Sequence, residues 1–275
     1  MALKLMYLTN SSQVATVAEK NGVDRIFLDL ELRGKEARQG NMDTVISHNS
    51  FNDVKPLKNA LHSAKLLVRI NSYYEDTKNE VNRVIEDGAD FVMLPYFKTA
   101  EEVKKFIEFV DGRAKICLLC ETPEAVENID EILNIPGIDE VHIGINDLHL
   151  GYHRKFMFEL VADGTVENMC NKFREKGIAY GFGGVGRIGA DVPLPAENIV
   201  DEHYRLGSQM VILSRSFCNI NNIKSIEEIR EAFKNGMTEF RAYESKAELK
   251  SAEELLKSHM DTVRRVKMIV ENMSK

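Results

Sequence analysis

The sequence predicts an α/β fold, a (β/α)8 TIM barrel with an added C-terminal helical tail, and three observations carry that prediction. Eight short apolar runs of strand length recur along the chain, segments with helical spacing lie between them, and several of those segments end at glycine.

The runs cover residues 4–9, 25–31, 66–71, 91–95, 115–121, 140–147, 178–184 and 210–216. Their near-continuous Val, Ile, Leu, Met and Phe content suits strands covered on both faces, as parallel strands wrapped by helices are. Between them, residues 77–87 and 100–110 repeat apolar side chains every three or four positions, which is helical spacing. Gly22, Gly88, Gly112, Gly177, Gly207 and Gly236 read as C-caps, because glycine takes the left-handed backbone that closes a helix at no Cβ cost. Eight strand–helix units close into a barrel more economically than they extend an open doubly wound sheet, which is the alternative topology.

The barrel is expected over residues 1–236. Beyond Gly236 a charged stretch, 237–275, carries one apolar stripe of Leu249, Ala252, Leu256, Val263, Val266 and Ile269. That stripe packs either on its own barrel or on a neighbouring subunit; a homo-oligomer is expected.

With 275 residues and 44% hydrophobic content, the chain can bury one substantial core. It holds 36 Lys and Arg against 43 Asp and Glu, a formal charge of -7, and no basic stretch long enough to follow a phosphate backbone, so no nucleic-acid partner is expected. The N-terminal residues lack the basic start and long apolar core of a signal peptide, and no apolar run approaches 18 residues. The expectation is a cytoplasmic protein with no membrane partner. Four cysteines in a chain this long imply reduced thiols, and Cys117 and Cys120, three apart in a strand, face opposite sides and read as core.

Reactive groups of such barrels come from the C-terminal ends of the strands and the loops after them. The second run ends Leu28-Asp29-Leu30-Glu31, the third Val68-Arg69-Ile70-Asn71, the fifth Cys120-Glu121-Thr122 and the sixth Gly144-Ile145-Asn146-Asp147. Charges so close to apolar strands need partners, so their gathering at one mouth points to a metal or an anionic ligand; an ion-pair network closing the barrel top is the other reading. Glu121 and Asp147 offer hard oxygen only, which favours Mg2+ or Mn2+ over zinc. Two protein carboxylates leave positions for a small-molecule 2-oxo acid to chelate, with Arg69 offsetting charge on its oxygen.

At these residues the chain resembles the hydroxy-oxo-heptanedioate aldolase and citrate lyase β-subunit family of metal-dependent barrel enzymes. The matching stretches are Phe27-Leu-Asp-Leu-Glu31, Val68-Arg-Ile-Asn71, Gly88-Ala-Asp-Phe-Val-Met-Leu-Pro95, Glu121-Thr-Pro-Glu-Ala-Val-Glu-Asn128 and Gly137-Ile-Asp-Glu-Val-His-Ile-Gly-Ile-Asn-Asp-Leu148, in order over roughly residues 25–150. The resemblance implies that Glu121 and Asp147 ligate the metal and that Arg69 contacts the enolate oxygen of a pyruvate-like unit. It also implies that backbone amides near Asn146 and Asp147 hold the carboxylate, and that Glu31 lies near the metal. The chain departs from the pattern at Leu32, where the aldolase branch carries a histidine, and Leu32-Arg33-Gly34 also breaks the acidic continuation of the lyase branch. His48 is the candidate replacement base; His149 and His153 follow the sixth run, and exposed or structural roles are the commoner case for all three.

Gly181-Phe-Gly183-Gly184-Val-Gly186 has dinucleotide-motif spacing but is not followed by the helix and acidic residue that motif needs. It reads instead as a flexible seventh loop lining the site, with Gly183 and Gly184 in the substrate-binding set and Arg187 available for a phosphate or carboxylate. The reading is thus a divalent-metal-dependent aldolase or lyase acting beside a 2-oxo acid. One rival is a citrate lyase β-like or malyl-CoA-like enzyme acting on an acyl-CoA thioester, for which no basic entry patch is evident. Another is a non-catalytic barrel serving as a binding or assembly subunit.

Overall fold

The computed structural model describes residues 2–33, 49–218 and 225–273. Its strands are β1 (Lys4–Leu8), β2 (Arg25–Asp29), β3 (Lys65–Arg69), β4 (Phe91–Leu94), β5 (Lys115–Cys120), β6 (Glu140–Ile143), β7 (Ala179–Val185) and β8 (Met210–Leu213). They close in chain order as an eight-stranded barrel, which excludes the open sheet. The chain divides into two compact units, Met6–Val141 and Met1–Leu5 with His142–Lys275.

In the unit Met6–Val141, β1 pairs with β2, β2 with β3, β3 with β4 and β4 with β5, all in parallel. Every residue of β2 is buried, and so is all of β5 after Lys115, as strands covered on both faces require. The helices are α1 (Ser12–Lys20), α2 (Val54–Ala60), α3 (Thr77–Glu86), α4 (Ala100–Val110), α5 (Pro123–Glu127) and α6 (Ile129–Ile132). Their starts are written in the sequence. Thr99 and Glu102 form a capping box on α4, and Thr122 accepts from the Ala125 amide with Pro123 in the first turn of α5. Gly22, Gly88 and Gly112 adopt the left-handed backbone expected of helix ends, with φ of 91°, 103° and 65°.

The first residue of β2, Arg25, is buried against Glu140, the first residue of β6; its two terminal nitrogens donate to the two carboxylate oxygens, and its guanidinium lies 4.0 Å from the Phe91 ring centroid. This pair sits at the strand beginnings, the end of the barrel associated with stability rather than chemistry.

In the other unit, α7 (Ile145–Gly151), α8 (Glu159–Ala162), α9 (Thr165–Glu175), α10 (Ala196–Leu206), α11 (Ile226–Glu248) and α12 (Ala252–Met273) accompany the parallel pair β7–β8. Gly177 and Gly207 close their helices with φ of 67° and 69°. Gly236 does not. It lies inside α11, where a Cβ would stand 2.9 Å from Phe217 Cζ and 3.0 Å from Arg187 Nη1, so close approach and not capping is what requires glycine there.

The tail packs on α10 through a largely polar seam. Asp201 accepts from Lys250 Nζ and from Ser258 Oγ at 2.6 Å each, Glu202 meets His259 Nδ1 at 2.8 Å, and Asn198 donates to Thr262 Oγ1 at 3.1 Å beside buried Val266. The expected stripe is interrupted, because the chain leaves helix between Glu248 and Ala252 and the helical phase restarts. Leu249 is consequently 86% exposed and Leu256 54% exposed, while Thr262 and Val266 carry the buried face.

The supposed seventh loop is strand. Residues 179–185 form β7, with an irregularity between Gly181 and Gly184 in its pairing with β8. A Cβ on Gly181 would fall 2.2 Å from the Met210 carbonyl oxygen, and one on Gly183, whose φ is 52°, 2.7 Å from Ile145 Cδ1. We expect Gly181→Ala to lower the unfolding free energy by about 1–3 kcal/mol or more through overpacking against backbone, read as the urea midpoint. An unchanged midpoint would contradict this account of the glycine run.

Candidate active site

The rim in the unit Met6–Val141 is built from three strand ends. In the β2–β3 register Asp29 lies directly beside Arg69. Arg69 Nε donates to Asp29 Oδ1 and Nη2 to Asp29 Oδ2, both at 2.8 Å, which makes a two-pronged planar pair. The third guanidinium nitrogen, Nη1, stands 3.4 Å from Glu31 Oε2. The Glu31 amide also donates to Asp29 Oδ1 at 3.1 Å, so one carboxylate fixes both the arginine and the chain carrying the next acid. Asp29, Glu31 and Glu121 are all buried.

Burial alone would lower the Arg69 pKa. The charges of Asp29 and Glu31, the hydrogen bonds that Arg69 donates to Asp29 and the charge of Glu121 outweigh it and raise the pKa above its ordinary value, so the guanidinium keeps its charge at any working pH. Three carboxylates act on this one cation. Among the described residues, no three His, Cys, Asp or Glu side chains gather closely enough to hold one metal ion.

Glu121 follows β5 directly. Its Oε1 accepts from the Tyr96 amide at 3.2 Å, and Tyr96 holds a left-handed backbone with φ of 51°, which a bulky residue rarely adopts. The next residue, Thr122, caps α5 and donates its hydroxyl to the Phe97 carbonyl at 2.8 Å. Glu121 is thereby pinned on both sides by the β4 and β5 loops.

A further layer lies just beyond. The Asn71 amide and Nδ2 donate to Glu80 Oε2 and Oε1, at 3.1 and 2.6 Å, and Asn71 Oδ1 accepts from the amides of Leu32 and Arg33 at 2.9 and 3.0 Å. Glu80, buried on α3, thus holds the Asn71 side chain that accepts from the amides of Leu32 and Arg33.

In the unit containing His142–Lys275, β6 stops at Ile143 and the expected strand end is instead the start of α7. Gly144 is its N-cap residue, and Asn146 and Asp147 lie half-buried in the first turn, where a helix start favours negative charge. Sequence reasoning misread this because Gly144-Ile145-Asn146-Asp147 continues an apolar run that alone does not separate strand from helix. His149 is buried with Nδ1 3.2 Å from the Ile145 carbonyl oxygen, and His153 takes a left-handed backbone with φ of 55°. Arg187 is no anion grip: Nη1 donates to the Ala232 carbonyl at 2.9 Å and Nη2 meets Glu239 at 3.0 Å, both on α11. The proposed base His48 lies outside the described residues.

Of the residues named from sequence, Glu31, Arg69 and Glu121 meet within one unit. Asp29, Asn71, Glu80 and Tyr96 were missed as functional supports. A signal for Asp29 was present, since residues two apart in an extended chain share a face and Asp29 precedes Glu31 by two. All four cysteines are buried and outside any disulfide; burial pushes the Cys120 thiol above its usual range and that of Cys170 up to about 12, as inert core thiols require.

The barrel and its charged strand ends are the setting, and the chain's similarity to known proteins gives the class, an enzyme of the aldolase and lyase kind. The sequence pattern of the HpcH/HpaI aldolase/citrate lyase family matches residues 4–182, more than half of the chain, and the chain belongs to that family. A 2-keto-3-deoxy-L-rhamnonate aldolase of Salmonella gallinarum is 23% identical over 206 residues, covering 63% of this chain and 71% of that protein. The enzyme of the same name from Shigella dysenteriae is 27% identical over 140 residues, covering 39% of this chain and 52% of its own length, so the match spans about half of that relative. Among solved structures, the HpcH/HpaI aldolase of Desulfitobacterium hafniense superposes with a TM-score of 0.60 at 18% identity, covering 82% of this chain and 95% of that one. The citrate synthase SbnG superposes with a TM-score of 0.61 at 15% identity, covering 80% and 89%.

No helix among the described residues is long and apolar enough to cross a membrane.

Proposed function

We propose that the protein cleaves, or forms, the carbon–carbon bond beside a 2-oxo acid, releasing or consuming pyruvate or a close analogue. The observation that carries this reading is the arrangement at the rim: one permanently charged arginine among buried carboxylates, whose hard oxygens are the donors a divalent cation takes. The family and the two relatives named for a 2-keto acid support the substrate class.

By their chemistry Glu121 and Asp147, which offer only carboxylate oxygen, would hold Mg2+ or Mn2+. When bound, such an ion supplies Lewis acidity to the keto and carboxylate oxygens of the substrate. Arg69 offsets negative charge on the C2 oxygen as the enolate develops, from a position that Asp29 has already fixed. Glu31 takes or returns a proton at the reacting end of the substrate. Backbone amides at Asn146 and Asp147, in the first turn of α7, hold the substrate carboxylate, with the Gly183–Gly184 backbone as a further substrate contact. In cleavage of a 4-hydroxy-2-oxo acid, the C4 hydroxyl gives its proton to Glu31, the C3–C4 bond breaks as C4 leaves as an aldehyde, the bond pair becomes the C2–C3 enolate, and return of the proton to C3 gives the 2-oxo acid.

A panel of 4-hydroxy-2-oxo acids assayed for released pyruvate, after chelation and again with Mg2+ or Mn2+ restored, tests the reading. Metal-restored release from at least one member is expected, and no release from any member would overturn it.

A further inference from the structure

Three consecutive residues after β4 are tied, one by one, to the segment that follows β5. The Tyr96 amide donates to Glu121 Oε1 at 3.2 Å, the Phe97 carbonyl accepts from Thr122 Oγ1 at 2.8 Å, and the Lys98 carbonyl accepts from Asn128 Nδ2 at 2.9 Å. The Lys98 side chain reaches the same segment, with Nζ 2.7 Å from Glu124 Oε1. On its other side the Lys98 amide donates to Glu102 Oε2 at 2.7 Å, in the capping box of α4. Phe97 and Thr122 are both buried, so the bond between them lies where bulk water does not compete for it.

These ties surround one strained residue. Tyr96 has a φ of 51°, a left-handed backbone that a side chain with a Cβ resists and that persists only where the surroundings over-determine it. The Tyr96 amide and the Phe97 carbonyl lie on either side of that torsion, so both keep their partners on the β5 segment only while the strain is held. The chemistry proposed for the rim uses the Glu121 carboxylate and neither Thr122 nor Asn128. What those two side chains contribute is orientation, through the backbone they hold.

Resting on the proposed role of Glu121 as a metal ligand, we propose that Thr122 and Asn128 are positioning residues that keep Tyr96 in its strained conformation, so that its amide fixes the Glu121 carboxylate for the cation. The affinity for Mg2+ or Mn2+ is then set in part by two side chains outside the ligand set.

Calorimetry with Mn2+ and no substrate reads the effect. Thr122→Val and Asn128→Ala are each expected to weaken Mn2+ binding by about 10–100-fold, the range for removing a contact that orients a ligand. Thr122→Ser keeps the hydroxyl and is expected to stay near wild type. Circular dichroism and the urea midpoint identify a variant that has lost its fold, and Asn128→Ala, at a half-buried position, carries the test if Thr122→Val does so. The decisive variant is a double one. Glycine adopts a φ of 51° without strain, so Tyr96→Gly added to Thr122→Val is expected to restore most of the lost Mn2+ affinity, a recovery that a general loss of stability would not show. Unchanged Mn2+ affinity in both Thr122→Val and Asn128→Ala, or a loss that Tyr96→Gly does not recover, overturns the proposal. Hydrogen exchange at residue 96 needs no metal: the amide is expected to exchange faster in Thr122→Val than in wild type and to slow again in the double variant. Absence of Mn2+ binding in wild type counts against the metal reading of Glu121 alone. In that event exchange decides whether Thr122 holds Tyr96, and an amide that exchanges no faster in Thr122→Val overturns that as well.

Discussion

Arg69→Ala is expected to lower kcat/KM for pyruvate release by about 10²–10³-fold, the usual consequence of removing one donor that stabilises a developing oxyanion. It should also cost stability. The substitution strands Asp29 and Glu31, both buried, without the guanidinium that meets them at 2.8 and 3.4 Å. Breaking a buried ion pair by removing one partner typically costs about 3–5 kcal/mol. Arg69→Lys separates the two effects, because an ammonium restores charge but cannot span both Asp29 oxygens. It should recover much of the urea midpoint and little of the rate. Steady-state kinetics and denaturant unfolding on the same preparations check both, and an Arg69→Lys enzyme near wild-type rate would show that the planar geometry is irrelevant.

On the proposed role of Glu121 as a metal ligand, Glu121→Gln is expected to reduce turnover by about three orders of magnitude or more while leaving the fold in place, and to weaken Mn2+ binding by at least 10–100-fold, since a ligand matters no less than its supporting contacts. The amide keeps the size of the side chain and can still accept from the Tyr96 amide, so the local structure should survive. Circular dichroism confirms the fold, calorimetry reads the metal affinity, and the pyruvate assay reads the rate. Retained activity with unaltered Mn2+ affinity would remove Glu121 from the site.

The barrel was legible because its signal is redundant. Strands buried on both faces leave continuous apolar runs such as those of β2 and β5, and glycines such as Gly88 and Gly112 mark where helices must stop. Legibility failed where one residue type serves two purposes. Gly236 carries the same letter as a cap, yet it lies inside α11 because Phe217 and Arg187 approach the backbone there. Gly181 and Gly183 look like a mobile loop, yet they are strand residues pressed against Met210 and Ile145. The run into Asp147 reads as strand, and the turn of chain at Gly144 that starts α7 depends on packing that local composition does not encode.

The candidate site was legible to the same degree. Strand ends are where this architecture concentrates chemistry, so Glu31, Arg69 and Glu121 could be chosen from sequence. The Arg69–Asp29 pair could not be read with the same ease, because it follows from the register between β2 and β3, and sequence periodicity sets which face a residue takes but not its neighbour across the ladder. The support from Glu80 is further removed, since it reaches back from α3 to Asn71 over nine positions and then, through Asn71, to the amides of Leu32 and Arg33.

On the proposed function, this rim removes a proton from the carbon beside a 2-oxo group with the help of a divalent ion. Proton NMR of pyruvate in deuterated buffer, with chelated enzyme and then with Mn2+ or Mg2+ restored, measures that step without any acceptor. Methyl-proton exchange that depends on the metal and is lost in Glu121→Gln is the expected result; exchange that never occurs in wild type, or that proceeds equally after chelation, would rule this chemistry out.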